Sequence, residues 1–352
     1  MSFIIKAKTS FPHNEYTQSE LSSYIGSIHP SKKEVIEKIF KNALVEKRRL
    51  SLPMEYFKNL NGLELRNNHW QEMALKLQIQ NLEYLFNELP FPIADISMII
   101  STTITGLTIP SLEAKLMNLF PFSKKTKRLP IFGLGCLGGV ACIARANDYL
   151  KAYPKEAVLI LATELCSLTF QVNDLSMANI VGTSLFADGA GAVIMVGNEH
   201  PWKTKAAYEV CSSESSFFPQ TERIMGWDIV DQGFKLVLSG DVPQIVTDQL
   251  VPAVKEFLNM NQLNQENIKF YVSHPGGPKV LMAMEESLNL NSNELYQSYQ
   301  SLKDHGNMSS VSVINVLENS INSLRKKEKK EFGLMIAMGP AFCAEIVLIR
   351  ES

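Results

Sequence analysis

Apolar positions along this chain follow two periods. Residues 15 to 60 carry the helical one, with acidic and basic residues interleaved in SKKEVIEKIFKNALVEKRRL. A helix starting near Pro30 gathers Val35, Ile36, Ile39, Phe40, Ala43 and Leu44 on one face, as helical periodicity requires. HWQEMALKLQIQNLEYLFNEL predicts a second amphipathic helix. Then the character changes. ISMIISTTI, residues 96 to 104, is short and β-branched, a strand ending in the glycine and proline turn TGLTIP. SLEAKLMNLF reads as helix, RLPIFGL as strand, the GLGCLGGVACIARA segment as helix, and AVLILATEL (157 to 165) as strand. SLFADGAGAVIMV, 184 to 196, is a turn followed by a buried strand.

The second half repeats this grammar. DVPQIVTDQLVPAVKEFL predicts a helix, NIKFYVSHPGG a strand and loop, and KVLMAMEESL a helix. GNMSSVSVINVLENSINSL predicts a loop and helix, and EFGLMIAMGPAFCAEIVLIR two closing strands. Each half ends in strand, small-residue turn, strand: VLILATEL then GAGAVIMV, and FGLMIAM then AEIVLIR. This implies an internal duplication. Strands alternating with helices imply a parallel or mixed sheet covered on both faces. The run RKKEKKE, 325 to 331, reads as a solvated helix end with no functional role.

Composition narrows the class. The 352 residues can bury a large core, as two domains or one large α/β unit. Hydrophobic residues make up 45% and charged residues 20%, the balance of a soluble globular chain. A net charge of -2 gives no basic surplus for a nucleic-acid backbone. No uninterrupted apolar run reaches the roughly 18 residues of a membrane span. The start, MSFIIKAKTSFPHNEY, lacks the features of a secretory signal. Five scattered cysteines read as reduced thiols of a cytoplasmic protein. Neither CxxC nor HExxH is present to hold zinc.

Cys136 stands apart from the other thiols. It lies between glycines where an apolar run becomes a helical pattern. A helix N-terminus stabilises a thiolate through its free N–H groups and dipole. Gly135 and Gly138 allow tight turns and leave space for an acyl group beside the sulfur. Cys142, Cys166, Cys211 and Cys343 lack that setting. Of six histidines, His274 ends a strand and opens the loop PGGPKV, where α/β proteins place ligand groups. His13, His29, His69 and His200 sit in polar or terminal contexts expected at the surface. Asn307, in DHGNMSS, offers an amide that donates hydrogen bonds without exchanging protons. His305, two residues away, is assigned to orienting that loop.

Cys, His and Asn in this order also fit a papain-like protease, whose His follows the Cys by roughly 130–150 residues. Here the interval from 136 to 274 is 138. The protease cysteine, however, lies near the mature N-terminus before an aromatic. Here 135 residues precede Cys136, and Leu137 follows it.

The chain is similar to the type III polyketide synthases, the chalcone synthase-like branch of the thiolase superfamily, in their bacterial form. STTITGLTIPSLEAKL, GLGCLGG, SLFADGAGAVIMV, MGWDIVDQGFKLVLSGDVP, SHPGGPKVL and GNMSS carry the likeness in matching order, across residues 30 to 350. The resemblance implies an α/β, thiolase-like fold of two duplicated halves in αβαβα layers. Residues 1–204 would carry the nucleophile, and 205–352 the His and Asn. It implies that Cys136 takes a starter from an acyl-CoA, with His274 holding the sulfur ionised. His274 and Asn307 would stabilise the enolate left when malonyl-CoA loses carbon dioxide, for repeated condensation and ring closure. No metal or organic cofactor is implied.

By position, Phe186 matches the family's gate between a coenzyme A tunnel and an inner cavity, and Leu236 falls at a second gate aromatic, implying a roomier or differently shaped cavity. Cys166, Thr169, Gly182, Trp227 and Ser309 match cavity-lining positions. Lys38 and Lys41 are the coenzyme A candidates. Ala341 stands where a glycine is usual. Ile109 matches a residue that reaches into the partner of a homodimer. The alternatives are a ketoacyl-ACP synthase of the fatty-acid initiation type, making a single condensation, and a non-catalytic thiolase-fold binding protein.

Overall fold

The computed structural model describes residues 1–291, 293–324 and 330–352. Positions 325 to 329 of the RKKEKKE run lie outside the described residues.

Thirteen strands occur among the described residues: β1 (Ser2–Ser10), β2 (Asn14–Thr17), β3 (Lys47–Leu50), β4 (Ile96–Thr103), β5 (Lys127–Phe132), β6 (Ala157–Leu165) and β7 (Asp188–Gly197), then β8 (Tyr208–Phe217), β9 (Met225–Val230), β10 (Gly233–Leu238), β11 (Ile268–Ser273), β12 (Phe332–Gly339) and β13 (Cys343–Glu351). Nine form one mixed sheet in the order β11-β12-β13-β8-β1-β7-β6-β4-β5. β4 runs parallel to β5 and β6, and β11 runs parallel to β12. β6–β7 and β12–β13 are the matching antiparallel pairs of the two halves. The halves meet where Ser2 to Ile4 of β1 pair with β8.

Two helices, Gly138–Ala152 and Ser310–Ser323, fill the space between the half-sheets. Their small apolar residues pack with Val158 and Val193 of one half and Val272 and Met335 of the other. The outer face of the first half packs on Leu63–Glu88 and Gln18–Ile28. That of the second half packs on Val251–Met260, Pro278–Ser287 and Tyr296–His305. The result is an αβαβα stack. β6 and β7 are buried throughout and mostly apolar or small because both of their faces are covered.

The segment 15–60 is less helical than its pattern implies. β2 and β3 pair within it, and the helix near Pro30 spans only Lys33–Lys41. Ile36, Phe40 and Ala43 are buried, whereas Val35 and Leu44 are exposed. Leu44 has left the helix, with φ of 55°. Tertiary bonds explain the early stop: Glu46 N–H donates to the Lys303 carbonyl, and Gln18 N–H to the Glu46 carbonyl. A π turn, Val246–Leu250, joins Val242–Ile245 to Val251–Met260; Pro252, with no N–H, sits just past it. Periodicity gave no sign of β8, β9, β10 or the helix Tyr296–His305. β5 is an edge strand, exposed along almost all of its length.

Candidate active site

Cys136 lies in the turn Gly135–Leu137 that leads directly into the central helix Gly138–Ala152. Gly135 has φ of 54°, a left-handed conformation that glycine adopts without strain. The glycines after the thiol do a different job from the one expected. A Cβ on Gly138 would stand 2.7 Å from Thr102 Oγ1, and one on Gly139 would overlap the Ser310 carbonyl oxygen. The space they leave is filled by Thr102 of β4 and by the start of the second central helix. It is not available to an acyl group.

That contact brings the GNMSS segment to the sulfur. Asn307 lies just before the second helix. Its backbone N–H donates to the Leu185 carbonyl (2.8 Å), and its carbonyl accepts from Ala187 N–H (2.9 Å). Asn307 Oδ1 accepts from the Ser309 N–H at 2.8 Å, which fixes the amide orientation. Nδ2 gives one hydrogen to the Gly276 carbonyl at 3.0 Å and keeps another to offer. Ser309 itself has φ of 49°, a strained conformation for serine. His274 follows β11, its N–H held by the Ile336 carbonyl at 2.8 Å. Both of its ring nitrogens are buried without a partner.

Glu164 anchors the network from behind. It is fully buried in β6. Oε1 accepts from Ser310 Oγ (2.7 Å) and Ser309 Oγ (3.2 Å), and Oε2 from Thr105 Oγ1 (2.8 Å) and Ile104 N–H (3.1 Å). Burial pushes its carboxyl up to about 7, these donors opposing. Burial likewise pushes Cys136 up to about 12; polar groups of Ser309 and Asn307 lower it, and the Glu164 charge raises it further. His274 is pushed by burial down to about 3. The helix N-terminus is therefore outweighed by desolvation, and no hydrogen bond joins the sulfur to the imidazole. Burial thus disfavours either charge taken alone, and the ionised sulfur that the resemblance implies requires the thiolate and the imidazolium to form as a pair.

Cys136, His274 and Asn307 line one chamber of ≈ 510 Å³, together with Phe186. Phe186 also lines an inner chamber with Cys166, Thr169, Gly182, Trp227 and Leu236. Phe186 thus stands between the two, where a gate belongs. The inner chamber has only ≈ 60 Å³ free, because Leu236 packs into the space left by Gly182. Leu236 therefore helps to close this chamber. Trp227, the cross-strand partner of Leu236, faces Phe186 with ring centroids 6.2 Å apart. Ser309 lines neither chamber and acts through Glu164 and Asn307. Ala341 has φ of 73°, which explains why glycine is usual there.

Lys38 and Lys41 are exposed, and the outer chamber is walled by Ile39, Asn42 and Ala43 from that part of the chain. Lys279, which sequence reasoning missed, does line it; its signal was a basic residue directly after HPGGP. Glu164 was also missed, although an acid inside AVLILATEL marks a paired buried charge. His305 stacks on Phe11 with centroids 4.3 Å apart. His200 is buried, contrary to expectation: it accepts the Trp202 N–H and stacks on Phe91. Ile109 is wholly exposed. Among the described residues no cluster of three or more His, Cys, Asp or Glu is arranged for a metal, and no helix is long and apolar enough to cross a membrane.

A thiol on one half of a duplicated αβαβα stack, facing groups supplied by the other half, is the organisation of the thiolase-fold condensing enzymes. The family models for chalcone and stilbene synthases match residues 2–199 with the N-terminal domain and 209–352 with the C-terminal domain. The chain belongs to the chalcone and stilbene synthase family, the type III polyketide synthases. It is 37% identical to a putative chalcone synthase of Bacillus subtilis (strain 168), covering 99% of this chain and 98% of that one. It is 36% identical to the 1,3,6,8-tetrahydroxynaphthalene synthase of Streptomyces peucetius subsp. caesius, covering 97% and 91%. The crystal structure of the tetrahydroxynaphthalene synthase of Streptomyces coelicolor A3(2), a bacterial type III polyketide synthase, matches with a TM-score of 0.93 at 27% identity over 99% of each chain. These likenesses favour neither a protease nor a ketoacyl-ACP synthase making one condensation.

Two outcomes follow from the buried charges. With the sulfur near 12, alkylation of Cys136 by iodoacetamide, with Cys136→Ala as blank, rises about tenfold per pH unit from pH 6 to 9. A flat profile would show a preformed ion pair instead. The folded Glu164 holds its proton more tightly than the unfolded chain, from 4.5 to about 7. The stability this confers is complete below about pH 4.5 and lost as pH rises through 7. Denaturation of wild type against Glu164→Gln should therefore show the difference moving by about 3 kcal/mol against wild type between pH 4.5 and 8.

Proposed function

We propose that this enzyme loads an acyl group from an acyl-CoA onto Cys136 and extends it iteratively with malonyl-CoA. The carrying observation is the Asn307 amide, locked by Ser309 N–H so that a donor is left for the chamber that also holds Cys136 and His274. Neutral His274, with both ring nitrogens unpartnered, accepts the Cys136 proton as the sulfur attacks the thioester carbonyl, and passes it to the departing coenzyme A sulfur. Attraction between the charges created together in a desolvated chamber offsets their separate burial costs.

Malonyl-CoA then binds with its thioester oxygen towards Asn307 Nδ2 and His274. Breaking the carboxyl bond releases carbon dioxide and leaves its electron pair as an enolate, stabilised by those donors. Its carbon attacks the acyl-Cys136 carbonyl and frees the sulfur. This scheme calls on no metal or organic cofactor. The phosphates of coenzyme A are assigned to Lys279 at the chamber wall before Lys38 and Lys41. The enzyme is read as a homodimer, supported by the exposed β5 edge and by Ile109, Leu129 and Phe132, all open to solvent. A cytoplasmic location is retained as part of this reading.

Cys136→Ala should abolish product formation, while Cys136→Gln, which mimics an acylated sulfur, should keep decarboxylating malonyl-CoA. Asn307→Asp, replacing a donor with an acceptor, should slow that decarboxylation by about 10²–10³. Loss of decarboxylation in Cys136→Gln together with full activity in Asn307→Asp would refute the assignment. Light scattering should give a mass of twice 39.4 kDa, falling to a single chain in Leu129→Asp/Phe132→Asp.

A further inference from the structure

The inner chamber behind Phe186 is mostly apolar, yet its wall holds a buried cation. Arg48 lies on β3, where alternate residues turn inward, and is 3% exposed. Its hydrogen bonds both come from Nη1, to the carbonyls of Thr183 (2.6 Å) and Phe186 (2.8 Å). Nε is buried without a partner. Tyr24 lines the same chamber, and its hydroxyl is also buried without a partner. Burial pushes the guanidinium down to about 9 against the favourable Asp188 charge. It is still protonated at neutral pH.

A buried cation with unused donors is costly unless something pairs with it. The two carbonyls need only Nη1, so they do not account for a planar fork at this position. That fork matches two coplanar oxygens that share a negative charge. An enzyme that builds chains from malonyl units meets such a group in two forms. One is the carboxylate of a malonyl starter. The other is the enolate of a 1,3-dicarbonyl unit, acidic because both carbonyls delocalise the charge. Size agrees. A site for one water takes about 10–15 Å³, so the ≈ 60 Å³ of this chamber holds a head group of a few heavy atoms and no folded chain.

Building on the polyketide reading above, we propose that Arg48 and Tyr24 form an anion-binding subsite in the inner chamber that holds a pair of charge-sharing oxygens on the acyl chain, either a terminal carboxylate or a 1,3-dicarbonyl enolate. Arg48 is then a specificity-determining residue, selecting acyl groups with two charged or enolisable oxygens over plain alkyl ones. Its grip on the Phe186 carbonyl is a separate, structural duty that the test must set apart.

Wild type, Arg48→Lys, Arg48→Met and Tyr24→Phe are compared with malonyl-CoA alone and with hexanoyl-CoA plus malonyl-CoA. Products are resolved by mass and melting temperatures recorded. Arg48→Lys and Tyr24→Phe should lower the ratio of multiply extended to singly extended product by about tenfold, the scale of one charge-assisted hydrogen bond. Loss confined to malonyl-CoA alone assigns the subsite to the starter carboxylate. Loss with both substrates assigns it to the dicarbonyl enolate. An unchanged ratio, or a uniform fall in all products, overturns the subsite and leaves Arg48 a structural tie. If both Arg48 variants fail to fold, Tyr24→Phe decides by the same ratio. Wild type that consumes no malonyl-CoA overturns the polyketide reading itself, a distinct result.

Discussion

The first turns of the two central helices touch because residues 138 and 139 carry no side chains. A methyl at 139 would overlap the Ser310 backbone, and one at 138 would press on Thr102 and Ser310. At 139 the clash is with backbone, so no rotamer change relieves it. It sets the thiol of one half against the carboxamide of the other. Glu164 then ties Ile104 and Thr105 to Ser309 and Ser310 around the contact. The reactive geometry is thus fixed by the meeting of two halves.

Burial is the second constraint, and it acts on every ionisable group near the sulfur in one direction. Cys136, Glu164 and Asp188 are raised by desolvation, and His274 and Arg48 are lowered. Desolvation moves each group towards its neutral form. Hydrogen bonds oppose that shift, as when Asp188 accepts the N–H groups of Ser51 (2.6 Å) and Ser167 (2.7 Å). A thiolate and an imidazolium become accessible together when a proton moves between them and the substrate completes the pairing. The chamber that disfavours isolated charge therefore strengthens each interaction made in the transition state.

The chemistry was legible in sequence because it sits on local signals. Gly135 before the thiol, the break after KFYVSH and the GNMSS loop each mark a place where a strand or loop turns into a helix. Strands buried on both faces read as apolar runs, which is why β6, β7, β12 and β13 were clear. β8 was not, because its YEVCSSESSF mixes polar and apolar residues without alternation. The stretch 15–60 misled for another reason. Its charged residues favour helix locally, but β2 and β3 pair with each other at long range, and Glu46 beside β3 is tied to Lys303 and Gln18, which no local pattern records. Gly135 makes the turn its type implies, but the open space expected beside Gly138 is occupied, since which atoms fill the space beside a glycine is a tertiary fact. The burial of the sulfur is hidden in the same way: a helix terminus is visible in sequence, and how deeply it is buried is not.

Phe186 connects these constraints. Its ring divides the chambers, and its carbonyl is held by Arg48 Nη1. The residues on either side of it pair with Asn307 through backbone hydrogen bonds. The partition and the oxyanion donor are consequently one mechanical piece. A change that shifts the backbone at 185–187 moves the Asn307 amide with it and costs chemistry, whatever it does for cavity shape. Side chains facing this piece from elsewhere are free of that penalty. Leu236 is held by the hairpin β9–β10, outside the catalytic network, and fills the cavity against Gly182. Cavity shape can therefore vary through the hairpin while the reactive groups stay in place, which separates the control of product from the control of rate.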